Sequence, residues 1–387
     1  MPVILICPDS FKESLTADEA VQAMQRGVLA AVPDAQCLCL PLADGGEGTL
    51  AALAQRWPLQ RLSHSVRGPL GEPVVAEWGM LEHTDGRRIG VIEMASASGL
   101  LHVPPARRDP LRSSSYGFGE LLLQALEAGC DELLLTLGGS ATHDGGLGML
   151  CALGAQAFDA DGEPLTPTGE GLGQLARLDM RDVPARLRQT PITVICDVRN
   201  PLCGANGAAH VFAPQKGASP EQVRYLEAAS QRWAGVLAEL AGYRVDEQPG
   251  AGAAGGLGAA LLGCLGANLR SGIDLLLEVL EFDALLAQAD LVLTGEGQLD
   301  AQTAAGKVIA GVAERARRQH KPVVALVGAI RGGDVTAAIP GLTACFAINP
   351  EPVSLSDALA RASVNLEYTS RQTVALWASS LSASVKG

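Results

Sequence analysis

The chain has 387 residues, which is room for about two domains that each bury a core. Its 29 Lys+Arg stand against 42 Asp+Glu, a formal charge of −13, and aromatic residues make up only 4%. That balance argues against nucleic acid as a partner, because neither a basic stripe for a phosphate backbone nor aromatic platforms for stacked bases are in evidence. Any anionic substrate must meet local positive charge. The nine cysteines form no C-x-x-C pair and most lie in apolar runs, as reduced core cysteines do, so a cytoplasmic location is expected. MPVILICPD at the N-terminus lacks a basic lead and reads as a first strand rather than a signal peptide. Residues 248–269 carry no charge, but PGAGAAGGLG within them is too glycine-rich for a membrane span.

In chain order, Val3 to Cys7 is a buried strand followed by the loop PDSFKESL. Thr16 and Glu19 then make a capping box for a helix with Ala20, Val21, Met24 and Val28 on one face. A second strand, Cys37 to Leu42, leads into ADGGEGT and a further helix with Leu50, Leu53 and Ala54. The other end of the chain has the same rhythm: a strand at 290–294, a helix near 305–319, and strands at 323–327 and 343–348 before terminal helices. Between them lies a mixed segment. Asp85-Gly86 and Asp161-Gly162 signal hairpins, strands are expected at 132–137 and 192–195, Ser219-Pro220-Glu221-Gln222 opens a helix, and a glycine loop leads into a buried helix at 259–265.

Two N-terminal parallel strands cannot stand alone, so they most economically join the C-terminal strands in one doubly wound sheet. The middle is then an insertion. Such a sheet binds ligand at its carboxyl edge near the switch in strand order, where PDSFKESL, ADGGEGT and TGEGQLD would meet. TGEGQLDAQTAAGK, from Thr294 to Lys307, carries the strongest chemistry: Gly295 and Gly297 admit backbone amides to a ligand, Lys307 opens a helix, and Glu296 and Asp300 suit a phosphate that brings a divalent cation. The alternative is that these glycines only make a tight turn and Asp300 only caps the helix. GGSATHDGG at 138–146, CDVRNPLCGANG at 196–207, FAPQKGA at 212–218 and GAGAAGGLG at 250–258 are loops of the same style, and together they suggest one cleft between two domains that closes on its ligand.

Standard motifs fail in these loops. Ala301 to Val308 lacks the first glycine of a phosphate-binding loop and the hydroxyl after its lysine. Gly250, Gly252 and Gly255 follow no strand, and Ser140 lacks the final glycine of a nucleophile elbow. His143 beside Asp144 is a base pair, a metal ligand or a loop hydrogen-bonder, with no second histidine nearby in sequence. Phosphoryl transfer survives, because it needs positioning, a metal, cations on phosphate and a carboxylate to take a hydroxyl proton. The carboxylates on offer are Asp9, Asp44, Asp144, Asp197, Glu296 and Asp300; the cations are Lys12, Arg67, Arg199, Lys216 and Lys307.

At these loops the chain resembles the type I glycerate kinases. The matching segments are PDSFKESL, PLADGGEGT, GGSATHDGG, CDVRNPLCGANGA, FAPQKGA, GAAGGLG and TGEGQLDAQTAAGK, in order along nearly the whole length. Glu13 stands where glycine is commoner. The resemblance implies an α/β protein: a flavodoxin-like domain from residues 1–66 and 283–387, and an inserted mixed α/β domain, 67–282, resembling a restriction-endonuclease fold. It also implies an ATP-dependent, Mg²⁺-assisted kinase of the small molecule D-glycerate; the motifs do not separate the 2-hydroxyl from the 3-hydroxyl, and the bacterial character of the chain favours 2-phosphoglycerate. On this reading Lys12 and Asp197 are catalytic, and Asp44, Glu296 and Asp300 hold the metal. Ser10, Gly45, Gly46, Gly138, Gly139, Ser140, Arg199, Lys216, Gly255, Gly256, Gly295, Gly297 and Lys307 contact ATP or substrate. A kinase of another small hydroxy acid and a non-catalytic binder of a phosphorylated metabolite are the alternatives.

Overall fold

The computed structural model describes residues 1–42, 58–83, 85–299, 308–331 and 337–384, the side chains of Val279 and of 381–384 excepted. The chain divides into two compact units, Met1–Asp44 with Gly272–Gly387, and Gly45–Ser271.

The discontinuous unit is built on five parallel strands: β1 (Val3–Ile6), β2 (Gln36–Cys39), β11 (Leu291–Leu299), β12 (Val323–Ile330) and β13 (Ala344–Ala347), numbered along the whole chain. Their order is β2-β1-β11-β12-β13, with Leu5 opposite Val292 and Leu38, so chain order reverses between β1 and β11. This is the flavodoxin-like order, whose switch point lies between those two strands. Both chain ends therefore share one sheet, as the strand-economy argument requires. Ile4, Ile6, Leu291, Leu293 and Leu326 join Met24 and Val374 in one core, so the N-terminal helix Ala17–Ala31 and the C-terminal helix Ala362–Ser384 are held through burial of apolar area. The first of these helices starts where expected, with Thr16 and Glu19 closing a capping box.

One expectation is corrected here. TGEGQL is not loop: β11 continues through Leu299, which pairs with Ile330. The glycines read as turn residues are instead sheet residues that let neighbours come close. A Cβ on Gly295 would collide with the Leu326 carbonyl, and one on Gly297 would come within 3.2 Å of the Lys12 nitrogen. β2 is also shorter than the expected 37–42 run, and β12 is longer than 323–327. ADGGEGT and the helix expected after it lie outside the described residues.

The second unit holds a six-stranded sheet, from β3 (Leu59–Arg67), β4 (Pro73–Glu82), β5 (Arg88–Glu93), β6 (Glu132–Thr136), β9 (Ile192–Ile195) and β10 (Asn268–Arg270). Its order is β10-β9-β6-β5-β4-β3. The first four are mutually parallel and the last two antiparallel, so the unit is mixed α/β. Asp85-Gly86 does turn the β4–β5 hairpin, with Gly86 in the left-handed region. β7 (Gln156–Phe158) and β8 (Arg177–Asp179) form a small separate ladder. The expected boundary at 66/67 falls inside β3, which pairs with β4 from Leu59–Leu81 to Arg67–Pro73, while the expected 282/283 boundary falls inside the helix Phe282–Gln288. Trp78, Phe118, Trp233 and Leu257 are fully buried in the core of this unit.

Candidate functional site

In the second unit, the segment leaving β6 carries GGSATHDGG, and its burial changes abruptly. Gly138 and Gly139 are exposed, whereas every residue from Ser140 to Leu150 is buried. Two glycine backbones thus face solvent at the carboxyl end of a parallel strand, on a loop anchored from beneath. The anchors are specific. Lys216, 2% exposed, donates from Nζ to Ser140 Oγ at 2.9 Å and to the Thr142 carbonyl at 2.6 Å. Asp144 accepts from the Ser115 backbone and hydroxyl at 2.7 and 2.8 Å, and from Gly146 and Gly148 N–H at 3.2 and 3.1 Å. Ala141 N–H donates to the Ser98 carbonyl at 2.9 Å, and Leu100 N–H to the Gly139 carbonyl at 2.8 Å.

The electrostatics follow from burial. Desolvation pulls the Lys216 ammonium down to about 7, with Asp144 resisting. Burial, and then the Lys216 charge, pushes His143 down to about 3, so its imidazole is neutral. Burial raises Asp144, against its four hydrogen bonds. His143 does not pair with Asp144: neither ring nitrogen has a hydrogen-bond partner among the described residues. It is a core residue of the loop's base, against which the backbone at Gly255 packs. Ala254, Gly255 and Gly256 all have positive φ, and a Cβ on Gly255 would lie 2.6 Å from His143 Cα. The glycine loop expected before 259–265 is therefore a left-handed turn wedged under the His143 backbone.

In the first unit, the segments after β1 and along β11 meet at the switch point. Asp9 N–H donates to the Gly295 carbonyl at 2.8 Å, and Thr294 Oγ1 to the Cys7 carbonyl at 3.0 Å. Asp9 and Glu296 are buried, at 7% and 6% exposed. Burial first, and the Glu296 charge second, push the Cys345 thiol up to about 11. Ser10 is half-buried and its N–H donates to Asp9 Oδ1 at 2.6 Å, whereas Lys12 is exposed. Glu13 has a φ of 64°, the left-handed region that glycine adopts without strain.

Of the residues expected to act, Gly138, Gly139, Ser140, Lys216, Gly255 and Gly256 fall in one cluster, and Ser10, Lys12, Gly295, Glu296 and Gly297 in another. Asp197 and Arg199 are exposed beyond β9. Asp44, Gly45, Gly46, Asp300 and Lys307 lie outside the described residues. Among the described residues, no three metal-ligating side chains converge. Ser115, missed in the sequence, is the largest omission. Its signal was the Ser113-Ser114-Ser115 run before the helix Tyr116–Glu127, but nothing local announces a partner 29 residues away.

Residues 4–378 match the Glycerate kinase family. The chain is 43% identical to a protein named glycerate kinase from Halalkalibacterium halodurans over 371 residues, covering 96% of this chain and 97% of that one. It is 43% identical to the glycerate 2-kinase of Escherichia coli over 372 residues, with the same coverage, 96% and 97%. A crystal structure of a Salmonella typhimurium LT2 protein described as glycerate kinase 2 superimposes with a TM-score of 0.84 at 45% identity, over 98% of this chain and 99% of that one.

Proposed function

The chain belongs to the glycerate kinase family, and from that premise we propose that it transfers the γ-phosphoryl group of ATP to D-glycerate, on the 2-hydroxyl. The observation that carries this reading is the likeness to the E. coli glycerate 2-kinase over 96% of the chain. Phosphoryl transfer asks for positioning and charge rather than covalent chemistry, and two built features of this chain supply them. One is the Gly138–Gly139 tip, whose backbone amides are held ready by a buried Lys216 and Asp144. The other is the β1–β11 switch point, where buried Asp9 follows β1 and buried Glu296 lies within β11.

Mg²⁺ would draw its ligands from that switch point: Asp9, just beyond β1, and Glu296, within β11, are buried carboxylates whose hard oxygens suit a small divalent cation. Asp44 and Asp300 would add to the set. A bound Mg²⁺ would offset negative charge on the transferring phosphoryl group. Within the first unit and its adjoining loop, Lys12 and Lys307 would contact phosphate or the glycerate carboxylate, with Ser10, Gly45, Gly46, Gly295 and Gly297 beside them; in the second unit, taken by itself, Arg199 and Gly256 are proposed as contacts to ATP or substrate. Asp197 would accept the proton of the attacking hydroxyl, a role its exposure beyond β9 leaves accessible.

A coupled ADP assay run over a panel of small hydroxy acids tests the reading. It predicts Mg²⁺-dependent ADP release with D-glycerate well above that with L-glycerate, glycolate or lactate. Preference for another acid would overturn the substrate, and no acid-dependent ADP release would favour the non-catalytic alternative.

A further inference from the structure

Three arginines within six residues, Arg107, Arg108 and Arg112, line one cavity of about 480 Å³ in the Gly45–Ser271 unit, together with Leu70, Asp109 and Gln222. Crowding like charges is unfavourable unless something of opposite sign joins them, and the crowding is conspicuous in a chain whose formal charge is −13. The protein's own carboxylates answer only part of it. Glu72 takes Arg107, at 2.8 Å from Nη2 to Oε1. Asp109 is occupied in shaping the wall: its Oδ1 accepts from Leu111 N–H at 3.1 Å and from Gln222 Nε2 at 3.0 Å. Arg108 makes only a 3.5 Å contact from Nε to the Val103 carbonyl, and Arg112 has no carboxylate partner among the described residues.

The wall is also braced. Gln222, at the start of the helix Pro220–Ala241, closes that helix's capping box with Ser219 while holding Asp109. The turn after Lys216 rests directly on the arginine segment, because a Cβ on Gly217 would collide with the Arg108 carbonyl. Two guanidinium groups without carboxylate partners among the described residues are thus presented by a fixed backbone rather than by a free loop.

We propose that this cavity is a binding site for a small phosphoryl anion, gripped by Arg108 and Arg112, with Arg107 tethered behind them by Glu72. A single carboxylate carries one charge and is satisfied by one guanidinium fork. A phosphoryl group carries up to two charges and three acceptor oxygens, which matches two or three forks. The volume lies within the range of small-molecule sites and exceeds what a bare inorganic ion needs. The inference rests on the charge and shape of the cavity and does not require the kinase reading.

Titration calorimetry on the full chain tests it, with pyrophosphate and inorganic phosphate as probes and D-glycerate as a carboxylate-only comparison. Arg108→Gln and Arg112→Gln should each weaken pyrophosphate binding roughly tenfold or more, leave D-glycerate binding as in wild type, and make pyrophosphate binding less dependent on salt. Equal pyrophosphate affinity in wild type and both variants would overturn the proposal, as would loss of D-glycerate binding in place of pyrophosphate binding. Arg112 is exposed and structurally unencumbered, so Arg112→Gln alone decides the matter if Arg108→Gln does not fold.

Discussion

Replacing Lys216 by methionine keeps an unbranched side chain one atom shorter and removes the buried ammonium together with its bonds to Ser140 and the Thr142 carbonyl. Two effects oppose each other. Each hydrogen bond to a charged group contributes about 1.5–3 kcal/mol, while an ammonium held at 2% exposure costs free energy to desolvate. Stability near neutral pH should therefore change by less than about 2 kcal/mol, and the pH dependence is the sharper signal. The folded-state pKa, about 7, lies below the ordinary lysine value of 10.5, so between those values the unfolded chain binds more protons and the folded state gains stability as pH rises. From pH 6.5 to 8.5 this amounts to roughly 2 kcal/mol. As pH approaches about 9 the buried thiols of Cys151, Cys203 and Cys264, each pushed up to about 12, act in the opposite direction and blunt the upper end of the rise equally in wild type and variant, so the difference between the two profiles isolates Lys216. Urea unfolding at pH 6.5, 7.5 and 8.5 should show the rise in wild type and a flatter profile in Lys216→Met. Turnover should fall by about tenfold or more, because the Gly138–Gly139 tip loses its anchor. Identical pH profiles for the two proteins would show that the buried Lys216 ammonium does not carry the pH dependence.

Gly255→Ala should destabilise the protein by more than about 3 kcal/mol in urea titrations, since the residue sits at φ 68° and its new Cβ would meet Thr142 and His143; an unchanged midpoint would contradict the wedge. Asp144→Ala orphans four buried donors and should cost about 3–5 kcal/mol, with Asp144→Asn recovering part of the loss in the same titrations. Lys12→Met, at an exposed position, should raise the KM for ATP or D-glycerate with the melting temperature within a degree or two of wild type. Asp197→Asn should lower kcat while leaving the same melting curve; near-normal turnover with unchanged metal dependence would remove Asp197 from the chemistry.

Elements whose signals are local were legible in the sequence. The Thr16–Glu19 and Ser219–Gln222 capping boxes start helices where they should, and β9 spans Ile192–Ile195 as its apolar run predicts. Joining both chain ends in one sheet followed from the need to cover two parallel strands. β3 was harder: LQRLSHSVR is an edge strand whose side chains are mostly exposed, so it lacks the apolar content that marks β6 or β9. Gly295 and Gly297 misled for the opposite reason, since glycine in a strand means close approach as readily as it means a turn. Lys216 was legible as a cation near a glycine-rich loop. Its burial against Ser140, 76 residues away, and the capture of Asp144 by Ser115 were not, because both depend on how distant loops stack above β6.

Transfer to the 2-hydroxyl is read from a proton-coupled phosphorus NMR spectrum of the purified protein reacting with ATP, Mg²⁺ and D-glycerate. Transfer to the 2-hydroxyl places the phosphorus next to a single methine proton, so a new phosphomonoester doublet should grow as the γ-phosphoryl signal of ATP disappears. A triplet, from coupling to a methylene, would contradict the 2-position, and the absence of any new phosphomonoester resonance in the presence of D-glycerate would contradict the kinase itself.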